Sequence, residues 1–411
     1  MGNQLKAYRY IVLALLFVTI AVEVNGQSLL CRQTWPLKMD SSSLHNLSYP
    51  YIRVKRAFPN STDPHFLVYF QGFYESLLFD IDTLHFELVN LKTHDSKRIK
   101  IPVNTVFSEH IAEARYMVND FAYQDGKLAL LVFDCIYLFD ANSAGCRFRQ
   151  KFRLPHGYSW LTFSEDGAFR LLDLVHSDDP QAVACAKFKM KQDRLIQDDS
   201  IIIPFAGKPY LQLESQFVSE SMDNIFLGNA TSSVIYTINK QNGSIDEALS
   251  TGHIEGSRAI DTLSFRNKMQ FFNSLQTMDT NHYHYQTCYV GDQIILRSRT
   301  RSAYKTAHYF DVYRRSHNGV DSTTTLLDGL HNYKLKNDTT VHFSRIDFDP
   351  ISATKGYIAV GNIFYTIGFR YKTERSDLGY IEFPITELQS LDKELYKSKA
   401  FEFNVYEYAL D

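Results

Sequence analysis

The sequence predicts an all-β protein, a single β-propeller of about six blades, with seven as the alternative. Three observations lead there. Short strands with period-two alternation recur along the chain. Tight turns punctuate them at Asp125-Gly126, Asp166-Gly167 and Asp223-Asn224. Helix signals are scarce, and the turns recur at uneven intervals of roughly 40 to 60 residues, as expected of degenerate propeller blades with loops.

Taken in order, the chain opens on Lys6 and Arg9, an apolar run from Ile11 to Val22, and then Val24-Asn25-Gly26. That run is shorter than the ~20 residues a spanning helix needs, and a small residue closes it, so residues 1–26 read as a cleaved secretory signal peptide and the mature chain begins at Gln27. No later stretch is apolar enough to span a membrane. Residues 27–50, with Cys31 and a serine run at Ser41-Ser42-Ser43, read as an N-terminal arm over the surface, and residues 51–411 as the propeller.

Tyr51 to Phe58 is the first strand, expected to close the ring together with Phe401 to Tyr408. A first unit follows with Phe66 to Gln71, a turn at Gly72, Ser76 to Ile81 and Leu84 to Leu91. The second unit is the most legible: Val118 to Ala122, Lys127 to Phe133, Ile136 to Asp140 and Cys146 to Phe152. A third runs from Trp160 to Pro204 and a fourth from Gln216 to Leu249, in which Val234-Ile-Tyr-Thr-Ile-Asn239 repeats the pattern of Cys135-Ile-Tyr-Leu-Phe-Asp140. The fifth, Ala259 to Leu335, carries five of the fourteen histidines, more than any other unit, and the sixth runs from Phe343 to Pro384. One helix is expected over Ile385–Lys397, opened by Thr386 with Gln389 three residues on as a capping box.

The formal charge of −3 becomes −4 once the signal peptide takes away a net +1, which argues against nucleic acid or an anionic membrane as a global partner. In an oxidising compartment Cys31, Cys135, Cys146, Cys185 and Cys288 are disulfide candidates, and an odd number leaves at least one over. The expected hairpin register sets Cys146 opposite Asp140, which carries it out of bridging reach of Cys135. Sequons at Asn46, Asn60, Asn229, Asn242 and Asn337 are glycosylation candidates, with Asn242-Gly243 at a hairpin turn.

Asn119-Asp120-Phe-Ala-Tyr-Gln-Asp125-Gly126-Lys-Leu resembles a turn-and-strand phrase of secreted six-bladed propellers, among them calcium-dependent lactonases and the yellow/royal-jelly proteins. The stretch from Ile136-Tyr-Leu-Phe-Asp140 to Phe152-Arg-Leu-Pro155 is similar to the strand pair that follows it in the yellow type. The likeness is confined to one blade. In lactonases the Asn of that phrase lines the channel and binds calcium, so the resemblance implies a calcium site at Asn119 that polarises an ester carbonyl; its further ligands would have to come from other inner strands, where Asp261 or Asp347 are the candidates. The same Asn-Asp pair also reads as ordinary polar residues at a strand end.

His282 and His284 share one strand face and could share a metal, with His308, His317, His331 or Asp279 as candidates for the third ligand that it needs. Arg297, Arg299 and Arg301 alternate near Tyr304, either as a binding stripe for an anionic partner such as a sulfated glycan or as a blade edge protected by charge. Arg53-Val54-Lys55-Arg56 fits a proprotein-convertase pattern, yet it alternates like a strand, whose pairing would shield it. Nucleophile-elbow, HExxH, dinucleotide and phosphate-loop patterns are missing from the sequence. The expected function is a secreted, glycosylated propeller that binds a small ligand or extracellular partner through loops on one face or the central channel. A calcium-dependent hydrolase and a structural matrix or cuticle protein are the alternatives.

Overall fold

The computed structural model describes residues 28–29, 31–37, 49–73, 83–103, 107, 118–142, 145–173, 182–204, 216–229 and 234–250, and beyond these the strands between residues 284 and 409. Among the described residues, four-stranded meanders form consecutive blades. Blade 1 is β3 (Tyr49–Ala57), β4 (His65–Phe73), β5 (Thr83–Asn90) and β6 (Ser96–Pro102). Blade 2 is β7 (Val118–Gln124), β8 (Lys127–Val132), β9 (Cys135–Asn142) and β10 (Gly145–Arg153). Blade 3 is β11 (Trp160–Phe163), β12 (Phe169–Asp173), β13 (Ala182–Lys191) and β14 (Arg194–Pro204). Blade 4 is β15 (Gln216–Glu220), β16 (Asn224–Asn229), β17 (Val234–Asn239) and β18 (Ile245–Ser250).

Blade 5 is β19 (His284–Val290), β20 (Ile294–Thr300), β21 (Tyr309–Ser316) and β22 (Gly319–Leu327), with β1 (Ser28–Leu29) lying parallel to β22 at its outer edge. Blade 6 combines β25 (Tyr357–Val360), β26 (Ile363–Lys372) and β28 (Phe401–Ala409) with β2 (Cys31–Leu37) from the other end of the chain. A short ribbon, β23 (Tyr333–Lys334) with β24 (Thr340–Val341), and β27 (Tyr380–Pro384) beside β26 complete the described strands.

The first strand of each blade is innermost. β3 lies beside β7, β7 beside β11, β15 beside β19, β19 beside β25 and β25 beside β3, while Thr162 of β11 donates its hydroxyl to Glu220 of β15. The ring closes through β2, which pairs with β28 from Cys31 opposite Tyr408 to Leu37 opposite Phe403. Trp35 of β2 then stacks on His94 of blade 1 at 4.0 Å, sealing the seam between the last blade and the first. This corrects the expected closure. Tyr49–Ala57 is the inner strand of its own blade, and part of the expected arm supplies the closing strand. Its buried residues Trp35 and Leu37 alternate properly, but Pro36 and polar neighbours mask the pattern in the sequence.

Blade 2 follows the expected strands within one or two residues. Asp125 and Gly126 both take positive φ (47° and 77°), the backbone of a two-residue hairpin turn that matches the strands' right-handed twist. Blade 1 departs more: Gly72 lies within β4, the expected strand at 76–81 falls outside the described residues, and β6 is an additional strand. The expected helix at 385–397 also falls outside. Cys146 stands opposite Ala141, not Asp140, because the hairpin pairs Gly145 with Asn142. Cys135, Cys146 and Cys185 are thiols, so none of these three forms an expected bridge, and the side chains of Cys31 and Cys288 lie outside the described residues.

The core lies in the seams. Between blades 1 and 2 it is aromatic: Tyr69 stacks on Phe86 at 4.6 Å and Phe121 meets both edge-on at 5.7 and 5.5 Å. Blades 2 and 3 meet over Ala129, Leu131, Leu138, Phe152 and Phe169, and blades 3 and 4 over Trp160, Leu172, Cys185, Val218 and Ile225.

Candidate functional site

Arg53 and Lys55 alternate along β3, so both side chains leave the strand on the same side, towards β7. Strands that are otherwise apolar would repel them unless acids were waiting, and they are. The Arg53 guanidinium donates to the carbonyls of Val118 and Asn119 and lies 3.2 Å from Asp120 Oδ1. Lys55 Nζ sits 2.5 Å from Asp120 Oδ2, donates to the Leu161 carbonyl, and lies 4.0 Å from both the Trp160 ring centroid and Glu220 Oε1. Glu220 Oε2 takes Lys240 Nζ at 2.8 Å, and Lys240 in turn lies over the Phe58 ring at 4.4 Å.

One ammonium thus touches blades 1, 2, 3 and 4, and blades 1 and 4 stand opposite each other in a ring of six. At this level the axis is crossed by ion pairs. All five charged groups are buried, Lys55 and Lys240 to within 1% of complete. Taking them from water costs several kcal/mol each, which is offset only while every partner is in place. Burial pushes the Glu220 carboxyl up, but the ammonium groups of Lys240 and Lys55 and the Thr162 hydroxyl more than reverse this, holding it below the usual carboxylate range. The Trp160 indole N–H and the Ser219 hydroxyl, buried in the same inner strands, make no hydrogen bond within the described residues.

At the other end of the inner strands, where each blade connects to the next, the β10–β11 link carries His156. Its Nε2 lies 3.3 Å from Asp173 Oδ2 at the end of β12, and its ring stacks on Tyr158 at 4.4 Å. Burial, with the charge of Asp173, lifts the Tyr158 hydroxyl to about 12. Beside it the β8–β9 hairpin turns on Phe133, whose side chain is 57% exposed and whose φ of 55° is costly for an aromatic residue. At the three described thiols, burial raises Cys135 and Cys146 to about 11 and Cys185 to about 12, so their nucleophilic thiolate is scarce at neutral pH.

Asn119 lies on inner strand β7, as its place at the head of its unit implies. Its amide donates to the Tyr158 carbonyl at 3.2 Å, and its own carbonyl accepts from Arg53 at 2.7 Å. A guanidinium already holds the oxygens there, which is a poor setting for a calcium ion. Asp261 and Asp347 lie outside the described residues, as do His282, Arg301, Tyr304, Asn46 and Asn337. For Arg297 and Arg299 the backbone is described: both lie on β20, an interior strand between β19 and β21, so the edge-protection reading does not apply to them. Asn60 and Asn242 are exposed, and Asn229 ends β16. Arg53-Val54-Lys55-Arg56 lies within β3, and two of its basic side chains are buried in the network. Sequence reasoning passed over that network because its acids stand 65 and more residues away; two cations alternating in an apolar strand were the available signal.

No family model matches the chain, and no curated protein does. Among solved structures, an exported-protein candidate from Bacteroides fragilis matches with a TM-score of 0.50 at 10% identity, covering 94% of this chain and 96% of that one. The β-propeller domain of Cps50 (Swd1) from Myceliophteria thermophila matches at 0.37 and 5% identity, covering 93% and 100%, and the WD40 domain of SCAP from fission yeast at 0.35 and 9%, covering 92% and 98%. At these identities the likeness to the Bacteroides fragilis protein speaks for the fold alone, and the protein is a single all-β propeller.

Proposed function

We propose that this protein is a secreted, glycosylated binding module that engages its ligand or partner through the face formed by the β8–β9 and β10–β11 connections. The observation that carries this reading is the chain of buried ion pairs from Lys55 to Glu220, which crosses the axis and turns the inner ring into structure. Recognition then falls to the loops, where Phe133 is held exposed on a strained backbone and His156 stands half-exposed against Asp173. The sequons divide between the two ends: Asn60, between β3 and β4, and Asn242, between β17 and β18, are exposed at the end opposite the β8–β9 turn, whereas Asn229, at the end of β16, lies at the same end as that turn.

The test is expression of the full chain in a secreting eukaryotic cell line. Recovery from the medium with Gln27 at the amino terminus, and a mass that falls on glycosidase treatment, is the expected result. Retention in the cytosol with Met1 intact would sink the reading. Calcium-dependent turnover of a lactone panel would favour the hydrolase alternative.

A further inference from the structure

The strand β28, on which the ring closes, is held unequally on its two sides. It pairs with β26 over nine residues, from Tyr371 opposite Phe401 to Ile363 opposite Ala409, without a break in register. On its other side it pairs with β2 over six, and a bulge at Arg32 interrupts that ladder. Of residues 32–37, Trp35 and Leu37 are buried and the other four exposed, whereas five of the six residues of β8 are buried. Arg32, Gln33 and Thr34 make further contacts, but from exposed positions, where such contacts contribute little. The indole N–H of Trp35 is buried and makes no hydrogen bond within the described residues. A strand that buries so little of itself opens more readily than the sheet beneath it.

The place that β2 fills is built without it. Trp35 sits in a slot between the last blade and the first, flat against His94 at 4.0 Å and edge-on to Tyr365 at 6.1 Å. His94 stands in the β5–β6 turn, where the Asn90 carbonyl accepts its amide and Asn90 Oδ1 accepts those of Lys92 and Thr93. Tyr365 is fixed within β26, opposite Ile358 of β25 and Glu407 of β28. Both walls thus rest on pairings in which β2 takes no part, so the slot costs an incoming strand little reorganisation. Pro36 lies on the outermost strand, where it discourages further pairing, while β28 beneath it carries no proline from Phe401 to Ala409 and can pair when uncovered.

We propose that β2 is a releasable clasp, and that the edge of β28, once uncovered, accepts an extended segment of a partner protein in its place. The resident strand states the chemistry of that segment. It runs antiparallel to β28 through backbone hydrogen bonds, puts an aromatic side chain into the slot between His94 and Tyr365, and carries an aliphatic one two positions on, as Trp35 and Leu37 are spaced. The site lies on the outer edge of blade 6, apart from the β8–β9 face, and does not depend on the reading of that face.

The test uses purified full-length protein and a labelled peptide that copies Cys31–Leu37 with Cys31→Ser. Hydrogen exchange at β28, read by mass spectrometry, should be biphasic, the amides facing β2 exchanging about 100-fold faster than those facing β26. The resident strand is tethered, with an effective concentration in the millimolar range, so the peptide is added at about 5 mM and should slow the fast half roughly twofold. A Trp35→Phe peptide should do the same, and a Trp35→Ala peptide should not. In the protein, Trp35→Ala should loosen the clasp and strengthen binding of the parent peptide by about tenfold or more, with an unchanged circular dichroism spectrum. A single slow phase at β28, or a fast phase that the parent peptide leaves unaltered, would overturn the proposal, and both are read on the parent chain whether or not the variant folds. Dimers that form as protein concentration rises and that excess peptide dissolves would replace the partner reading by strand exchange between two copies.

Discussion

The seam between blades 1 and 2 and the seam between blades 3 and 4 join the same kind of meander by different chemistry. In the first, Tyr69, Phe86 and Phe121 interlock, and Phe107 lies on Tyr137 at 4.5 Å. Each such pair adds about 0.5–1.5 kcal/mol beyond its buried area and depends little on pH. In the second, an aliphatic core is bordered by Arg170, fully buried, which donates to the Lys240 carbonyl at 2.8 Å and grips both oxygens of Asp199. Lys187 ties Asp166 to the Gln241 carbonyl, each at 2.9 Å. Blade 3 thus holds the turn of blade 4 by its backbone. An apolar seam tolerates small shifts and loses stability gradually, whereas a buried charge is favourable only at one geometry.

The largest expected effect comes from opening the aromatic seam. Phe86→Ala, at a position with no exposure, should cost about 4–5 kcal/mol in urea unfolding, because the cavity is walled by rings that cannot collapse into it. Arg170→Ala should cost somewhat less, about 3 kcal/mol, by leaving Asp199 and the Lys240 carbonyl unanswered. The seams separate when the Asp199 side is removed as well: Arg170→Met/Asp199→Leu should recover most of the loss, while no second substitution at the aromatic seam rescues Phe86→Ala.

Acid sharpens the contrast. The folded Glu220 carboxyl titrates below its ordinary value of 4.5, so its contribution is present in full above that pH and is lost as pH falls through the lower folded value. The urea midpoint should drop below pH 4.5, and Glu220→Gln should flatten that part of the profile. A profile unchanged by the substitution would show that the inner-ring carboxylate is not coupled to folding. The smallest effect lies away from both seams. Phe133→Gly relieves a φ of 55° and should raise stability by about 1 kcal/mol while removing the exposed ring from the proposed binding face.

Much of the fold was legible. Blade 2 can be read strand by strand because alternation and an Asp-Gly turn are properties of a few adjacent residues. Blade 1 was harder, since the β4 turn was misplaced at Gly72 and β6, with cations at Lys97, Arg98 and Lys100, does not look like a strand until Ile99 and Ile101 are seen buried. Of the inner-ring site, the Asn119-Asp120 pair stood out for a different reason. The resemblance pointed to Asn119 and calcium, while Asp120, between Arg53 and Lys55, is the residue that organises the ring.

The amino-acid sequence by itself determined the class of secondary structure, the repeated meander and the sites of its turns, because these follow from backbone preferences and side-chain period within a dozen residues. Only the tertiary structure decided that Cys31–Leu37 closes the ring, that Cys146 faces Ala141, and that the basic residues at 53 and 55 are buried rather than offered to a protease. Those outcomes depend on partners far along the chain, such as Asp120 and Glu220 for Lys55. A charge is stable in the interior only where folding brings such partners to it, and no local pattern records that meeting.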